Sequence, residues 1–292
     1  MFLGGTGRSG TWALGRLLAA PPTWRTVRTE LRFHASQGGM ADLLRGRISD
    51  EWFLRNLQRR WYRRDGGSGQ PKGLQIVVEE PEYRTAVRRY KRARKAGMTA
   101  EVACRQLYLD ILHGYLTDAG ASHWAETTPD NAAAADVLAL VFPQARFVHT
   151  VRDGRDVAAS VATMPWGPDD LDGGLDWWDR RLRLADAGMR ACPPGTAHTV
   201  VLEDLLVDRP EQVLEDTLRF LGLDGPDDAE VRDAFWRKMT ASEAHIGRWR
   251  QTLDGDEARR FDRRYRELYA ALVEDDVVAL PLEPDRVDAM GG

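Results

Sequence analysis

The 292-residue sequence has few cysteines, no long apolar run and no excess of positive charge. Its two cysteines, Cys104 and Cys192, lie far apart and lack the spacing of metal ligands, which favours a reduced, cytoplasmic setting. The most apolar stretch, residues 132–142, is interrupted by Asp136 and is too short to span a bilayer, which takes roughly 20 residues. The first residues also lack a basic start followed by an apolar segment, so we expect no secretion signal and no membrane span.

The charge and composition narrow the class of protein further. The net charge is −4, so the molecule is not built to coat nucleic acid, and any anion must be held by a local group of positive side chains. Hydrophobic residues make up 43% of the chain and charged residues 29%, which is typical of a globular protein with a sizeable core. Because no internal repeat or clear linker interrupts the chain, we interpret residues 1–292 as a single domain.

Short apolar segments alternate with helical ones. The patterns predict strands at residues 2–3, 24–29, 123–126, 146–151 and 199–202, and helices at 10–19, 40–64, 82–96, 99–118, 130–141, 155–163 and 209–221. A glycine-rich break at residues 66–69 predicts a surface loop. Alternating strands and helices favour an α/β fold, a three-layer sandwich with a central parallel sheet flanked by helices.

A glycine-rich turn follows the first predicted strand. Residues 4–11 read GGTGRSGT and lead into a helix. The glycines let backbone N–H groups approach an anion, and the helix adds its N-terminal dipole and unpaired donors. Arg8, Ser9 and Thr11 add side-chain donors at the same point. We interpret the turn as a phosphate-binding loop; the alternative is an ordinary turn whose glycines serve only its geometry.

The loop differs from that of a nucleotide kinase. A Walker A loop continues from its last glycine into lysine, which reaches the terminal phosphates. Here Gly10 is followed by Thr11 and Trp12, and the positive side chain is Arg8, inside the loop. A P-loop kinase that uses ATP and magnesium is therefore the weaker alternative. A nucleotide-binding regulator without catalytic activity is a third interpretation.

A second strand–turn–helix segment carries another pair of donors. Residues 146–160 read RFVHTVRDGRDVAAS. Arg152 ends the predicted strand and Ser160 follows eight positions later, about two helical turns, so both side chains can converge on one phosphate. The alternative is that Arg152 and Arg155 pair with neighbouring aspartates on a solvated helix face.

Together these motifs resemble those of the PAPS-dependent sulfotransferases, which use 3′-phosphoadenosine 5′-phosphosulfate (PAPS), including bacterial members and tyrosylprotein sulfotransferases. Residues 8–11, RSGT, are similar to the family's 5′-phosphosulfate loop, K/R-S-G-T-T, although Trp12 stands where the second threonine is usual. Arg152 and Ser160 have the spacing of the family's 3′-phosphate contacts. Residues 242–250, SEAHIGRWR, resemble the loop that closes over the nucleotide, with Arg248 as a further 3′-phosphate contact. The alternative for Arg248 is an ordinary surface arginine.

The resemblance implies a P-loop-like fold, PAPS as co-substrate, 3′,5′-adenosine bisphosphate (PAP) as product and no metal. It assigns donor binding to Thr6, Gly7, Arg8, Ser9, Gly10, Thr11, Trp12, Arg152, Ser160 and Arg248.

The resemblance also implies in-line transfer to an acceptor hydroxyl or amine, with Arg8 stabilising the departing 5′-phosphate. Several family members carry a glutamate at a similar distance beyond the loop, which points to Glu30 as the general base. A surface glutamate paired with Arg28 or Arg32 is the alternative for Glu30, and His34 is the alternative base.

One segment departs from the family pattern. Residues 126–131 read ETTPDN, where the family often has E-K-T-P, whose lysine assists at the sulfuryl group. Either Thr127 and Thr128 donate hydrogen bonds instead, or another cation enters from the variable residues 35–120 and 164–190.

The acceptor is expected to be a small molecule or a glycoside rather than a nucleic acid. A basic run in helix 82–96 favours a solvated face, with an acidic or sulfated acceptor as the alternative. Trp166, Trp177 and Trp178 belong either to an acceptor cleft or to the core.

Overall fold

The computed structural model of this chain describes residues 1–62, 71–117, 120–223, 226–239 and 245–290. The loop predicted at residues 66–69 lies outside the described residues, as do residues 242–244 of the segment that resembles the closing loop.

Five parallel strands form the centre of the described structure. They are β1 (Phe2–Gly5), β2 (Trp24–Thr26), β3 (His123–Ala125), β4 (Phe147–Val151) and β5 (Ala197–Val201). β4 lies between β1 and β5, and β2 pairs with β3. A parallel bridge between Phe2 and Glu126 joins the two groups, so the order across the molecule is β2-β3-β1-β4-β5.

Twelve α-helices surround these strands in the described residues. They are α1 (Thr11–Leu18), α2 (Met40–Leu44), α3 (Asp50–Asn56), α4 (Glu80–Lys95), α5 (Ala100–Thr117), α6 (Ala135–Val141), α7 (Gly154–Val161), α8 (Leu171–Arg190), α9 (Pro210–Leu221), α10 (Pro226–Lys238), α11 (Gly255–Glu274) and α12 (Pro284–Met290). None of the helices in the described part of the chain is both long and apolar enough to cross a membrane.

The sheet is covered on both faces. Phe2 and Leu3 are neighbours in β1 but pack into different hydrophobic clusters, because successive strand side chains point to opposite faces. Phe147 and Val148 divide in the same way in β4. A fully buried strand such as β4, FVHTV, is typical of a parallel sheet between two helical layers. The predicted α/β sandwich with a central parallel sheet is confirmed.

Two predicted helices are interrupted, and α8 was missed. The predicted helix at 40–64 is divided into α2, α3 and a π-helical turn at Leu57–Tyr62. The predicted helix at 130–141 begins as a 3₁₀ turn, and α6 starts only at Ala135. No helix was predicted in the variable residues 164–190, yet they contain α8, a helix of 20 residues. Its buried residues, among them Leu175, Trp178 and Leu182, recur at helical spacing, a signal that the sequence already carried.

Candidate active site

The glycine-rich turn connects β1 to α1 through a left-handed backbone. Gly7 and Gly10 both have φ of 82°, and Arg8 between them has φ of 58°. A non-glycine residue at positive φ carries a conformational cost that recurs at functional sites. The side chains of Ser9 and Thr11 tie the turn to β4, since their hydroxyl oxygens lie 3.0 Å and 2.8 Å from Oγ1 of Thr150.

A cavity of about 650 Å³ lies against this turn. Its walls come from the segments that follow the carboxyl ends of all five strands, the place where open α/β sheets bind ligands. Of the residues assigned from the sequence, the lining includes Thr6, Gly7, Arg8, Gly10, Thr11, Trp12, Glu30, Arg152, Ser160 and Arg248. Ser9 is fully buried and does not line the cavity, so its backbone N–H rather than its hydroxyl is the donor to consider there.

The two motifs identified in the sequence meet in this cavity. Nε of Arg8 donates a hydrogen bond of 2.9 Å to Oγ of Ser160. Nη1 of Arg152 donates to the carbonyl oxygen of Arg8 at 3.1 Å, and Nη2 donates to the carbonyl oxygen of His245 at 3.0 Å. Arg152 therefore connects the turn after β1 with the segment that leads to Arg248.

Asp156, which the sequence analysis did not single out, fixes the segment that carries Arg248. Its carboxylate accepts hydrogen bonds from the backbone N–H groups of Gly247 at 2.8 Å and Trp249 at 3.1 Å. Burial raises the pKa of Asp156, and the guanidinium of Arg152, 3.3 Å away, opposes that rise. Arg248 itself is exposed at the cavity wall.

Glu30 reaches the cavity on a segment that is pinned through its backbone. The N–H of Leu31 donates to the carboxylate of Glu126 at 3.1 Å, and the N–H of Arg32 donates to Oγ1 of Thr128 at 3.2 Å. Arg32 has φ of 60°, so this segment also holds a left-handed residue. Nε of Arg32 donates to the Glu30 carboxylate at 2.8 Å. Glu30 thus forms the pair with Arg32 that was the alternative to its role as the base, and it also lines the cavity.

His34 lies away from the cavity. Its side chain is fully buried, with Nε2 at 2.7 Å from Oδ1 of Asn131 and 3.1 Å from the Glu126 carboxylate. Glu126 also accepts hydrogen bonds from Thr128 and from Nδ2 of Asn131, both at 2.6 Å. Burial alone would raise the pKa of Glu126, but His34 and these hydrogen bonds lower it to about 2. His34 therefore helps to hold the Glu126 carboxylate, which in turn accepts the hydrogen bond from the segment that carries Glu30.

The profile of the sulfotransferase family matches residues 1–228. The chain belongs to the sulfotransferase family. The resemblance inferred from the motifs is thereby confirmed.

Two solved sulfotransferase structures are similar in fold. One is the sulfotransferase domain from the Synechococcus PCC 7002 olefin synthase, with 18% identity, a TM-score of 0.52 and 93% of each chain covered. The other is sulfotransferase STF9 from Mycobacterium avium, with 14% identity, a TM-score of 0.50, and coverage of 96% of this chain and 78% of that one. No curated protein matches the sequence significantly.

In this sulfotransferase, Thr127 places no charge in the cavity. Its side chain is 2% exposed, and its Oγ1 is buried without a hydrogen-bond partner among the described residues. A cation does enter from the variable region 164–190, because Arg181 of α8 lines the cavity. Arg181 was not predicted as a site residue because α8 was missed.

The tryptophans divide between core and cavity. Trp178 is fully buried beside α11, whereas Trp166 and Trp177 line the cavity with their ring centroids 6.3 Å apart. Trp166 is 60% exposed, which is unusual for so large an apolar side chain. A ligand in the cavity would therefore meet two aromatic faces.

The basic run in α4 lies outside the cavity. Arg84 pairs with Glu80 and Arg89 pairs with Asp110, while Arg94 pairs with the aspartate at the first position of α3. None of the described residues of this run lines the cavity. The run therefore fits a solvated helix face that is partly neutralised by neighbouring carboxylates.

Arg155 pairs with a neighbouring aspartate, as the alternative interpretation has it, but it does not lie on a solvated helix face. It is fully buried, with Nη2 at 2.6 Å from Asp153 and Nη1 at 2.9 Å from Asp288. Its guanidinium lies between the rings of Trp249 and Tyr265, 4.8 Å and 4.7 Å from their centroids. The contacts of Arg155 therefore connect α7 with the segment after Arg248, with α11 and with α12.

Proposed function

We propose that this sulfotransferase takes the sulfuryl group from PAPS and transfers it to a hydroxyl or an amine of a small-molecule or glycoside acceptor, with Glu30 as the general base. The observation that carries the proposal is the convergence of Arg8, Arg152 and Ser160 on one cavity. Two guanidinium groups and a hydroxyl from separate motifs suit a ligand with phosphate groups at both ends, as PAPS has.

The turn after β1 is the part suited to the 5′-phosphosulfate. The backbone N–H groups at Gly7 to Thr11, the N-terminus of α1 and the side chain of Arg8 provide donors and positive charge. At the other end, Arg152 and Ser160 would bind the 3′-phosphate, and Arg248 would close over it from the segment tethered by Asp156. Binding of that phosphate exchanges the Arg8–Ser160 hydrogen bond for charge-assisted ones.

The transfer step requires a base and a stabilised leaving group. The acceptor oxygen or nitrogen forms a bond to sulfur while the bond between sulfur and the bridging oxygen breaks, and that bond's electron pair goes to the 5′-phosphate of PAP. The carboxylate of Glu30 takes the acceptor's proton. Arg8 and the N–H groups of the turn stabilise the negative charge that develops on the leaving oxygen.

Glu30 is a better base candidate than His34 because of where each side chain lies. Glu30 lines the cavity, and about a third of its side chain is exposed. The hydrogen bonds from Leu31 and Arg32 to the Glu126 segment fix its backbone. His34 is fully buried and does not line the cavity, so it cannot reach an acceptor there without rearrangement.

The proposal is tested by incubating the protein with PAPS carrying labelled sulfur and a panel of phenols, glycosides and amines. We expect acceptor-dependent formation of PAP and transfer of the label to at least one member of the panel, without added magnesium. Formation of ADP from ATP and magnesium, with no PAP released from PAPS under any condition, would overturn the proposal in favour of a kinase.

A further inference from the structure

Arg181 is a cation held on three sides at the cavity wall. Its Nε donates to the carbonyl oxygen of Thr6 at 2.7 Å, and its Nη2 forms an ion pair with Asp130. Its guanidinium lies 4.9 Å from the ring centroid of Trp177. Among the described residues no hydrogen bond involves Nη1, which leaves one donor group for a ligand.

These contacts place Arg181 beside the start of the glycine-rich turn. Trp177 lies directly on the turn, since a Cβ atom added to Gly7 would stand 3.2 Å from its ring. The carbonyl oxygen of Thr6, one position before Gly7, receives the hydrogen bond of Arg181. The guanidinium is therefore fixed to the same turn that we propose for the 5′-phosphosulfate, and it also pairs with Asp130 at the cavity wall.

The partner of Arg181 is itself held in place. Asp130 accepts a hydrogen bond of 2.5 Å from Oγ of Ser36, and the positive charge of Arg32 also helps to lower its pKa. Burial would raise the pKa of Asp130, but Arg181 and Ser36 outweigh it and lower the pKa. A guanidinium fixed by a carboxylate, a carbonyl and an aromatic face needs little reorganisation when a negative group arrives.

We infer that Arg181 contacts the sulfuryl group of the donor, and that its free Nη1 donates to the sulfuryl oxygens. This inference rests on the proposed function, since it requires PAPS as the donor. The sulfuryl group is negative, and its oxygens need positive donors while sulfur passes from the leaving phosphate to the acceptor. Thr127 has a buried, neutral side chain and supplies no such charge, whereas Arg181 is already fixed at the turn.

The test compares the binding of PAPS and PAP, which differ only by the sulfuryl group, and needs no knowledge of the acceptor. Both ligands are titrated calorimetrically into the wild-type protein, Arg181→Met and Arg181→Lys. Arg183→Met is the control, because Arg183 lies on the same helix and pairs with Asp179 and Asp275 outside the cavity. We expect Arg181→Met to weaken PAPS roughly 10-fold or more, as for a charge-assisted hydrogen bond, and PAP less than about threefold. Arg181→Lys should weaken PAPS by less than Arg181→Met does, and Arg183→Met should change the affinity for neither PAPS nor PAP.

Two results would overturn the inference. Equal weakening of PAPS and PAP by Arg181→Met would show that Arg181 only supports the turn, and unchanged binding of both would show that it has no part in the site. Failure of the proposed function itself looks different, because the wild-type protein would then bind PAP no better than AMP.

Discussion

Nε of Arg8 lies 2.9 Å from Oγ of Ser160, although the two residues are 152 positions apart in the chain. The contact exists because β1 and β4 are parallel neighbours, so the turns that follow them emerge at the same edge of the sheet. The turn after β1 and the helix after β4 therefore meet at one cavity, which neither segment could form alone. Arg152 strengthens the arrangement by donating to the carbonyl oxygen of Arg8.

The proposed assignment of Arg152 and Ser160 to a 3′-phosphate predicts a selective loss of affinity for PAP. Ser160→Ala should weaken PAP several-fold, and Arg152→Met should weaken it by roughly 10- to 150-fold, because charge-assisted bonds are lost. AMP, which has no 3′-phosphate, should change less than about threefold with Ser160→Ala. Calorimetry measures both ligands, with Arg146→Met as the control, because Arg146 is exposed at the start of the same segment and packs on Phe220. Equal losses for AMP and PAP in Ser160→Ala would contradict the assignment.

The assignment of Glu30 predicts a defect in turnover rather than in donor binding. Glu30→Gln should lower the rate of transfer by roughly 10²- to 10⁴-fold, the usual contribution of a general base. Its affinity for PAP should stay within about threefold, because the turn and the 3′-phosphate contacts are untouched. The measurement is the rate of PAP release in the presence of an acceptor. Glu82→Gln on the exposed face of α4 is the control, and full activity in Glu30→Gln would remove Glu30 from the role.

Replacement of the buried Arg155 is predicted to cause a large loss of stability. Arg155→Met leaves the buried carboxylate of Asp153 without its ion-pair partner, and breaking a buried ion pair in this way costs about 3–5 kcal/mol. Urea unfolding measures the free energy directly. The control Arg259→Met breaks an exposed pair with Asp256 and should cost no more than about 1 kcal/mol. Equal urea midpoints for the two variants would show that the buried ion pair of Arg155 does not stabilise the fold.

The burial of Glu203 predicts how the stability of the protein depends on pH. Its side chain is fully buried, Oε1 accepts from the N–H of Asp153 at 3.0 Å, and Oε2 has no hydrogen-bond partner among the described residues. Desolvation raises the pKa of Glu203 from 4.5 to about 7, and the charge of Asp153 adds to the rise. Between these values the folded protein binds more protons than the unfolded chain, so its stability falls as the pH rises from 4.5 to about 7.

Glu203→Gln should remove that fall, because the amide stays neutral and its oxygen keeps the hydrogen bond. Over this pH range the wild-type free energy of unfolding should drop by up to about 3 kcal/mol more than that of the variant. Chemical unfolding at several pH values measures the difference. Parallel pH profiles for the two proteins would mean that Glu203 ionises normally in the fold.

The sequence was sufficient to predict the features that depend only on neighbouring residues in the chain. The turn GGTGRSGT, the strand at β4 and the start of α7 each depend on a few consecutive residues, and their predicted positions agree with the structure. The contacts of Arg181 and Asp156 were not predicted because they join distant segments. Arg181 meets Thr6 across 175 positions, and Asp156 meets Trp249 across 93. The burial of His34 likewise follows from packing that no local pattern encodes.

The measurement that tests the central claim most directly is a calorimetric comparison of PAP, AMP, and ATP with magnesium on the wild-type protein. We predict that PAP binds at least about tenfold more tightly than AMP, since only PAP can engage Arg152 and Ser160 through a 3′-phosphate. Equal affinities for PAP and AMP, or a preference for ATP with magnesium, would contradict the claim that this cavity is built for PAPS.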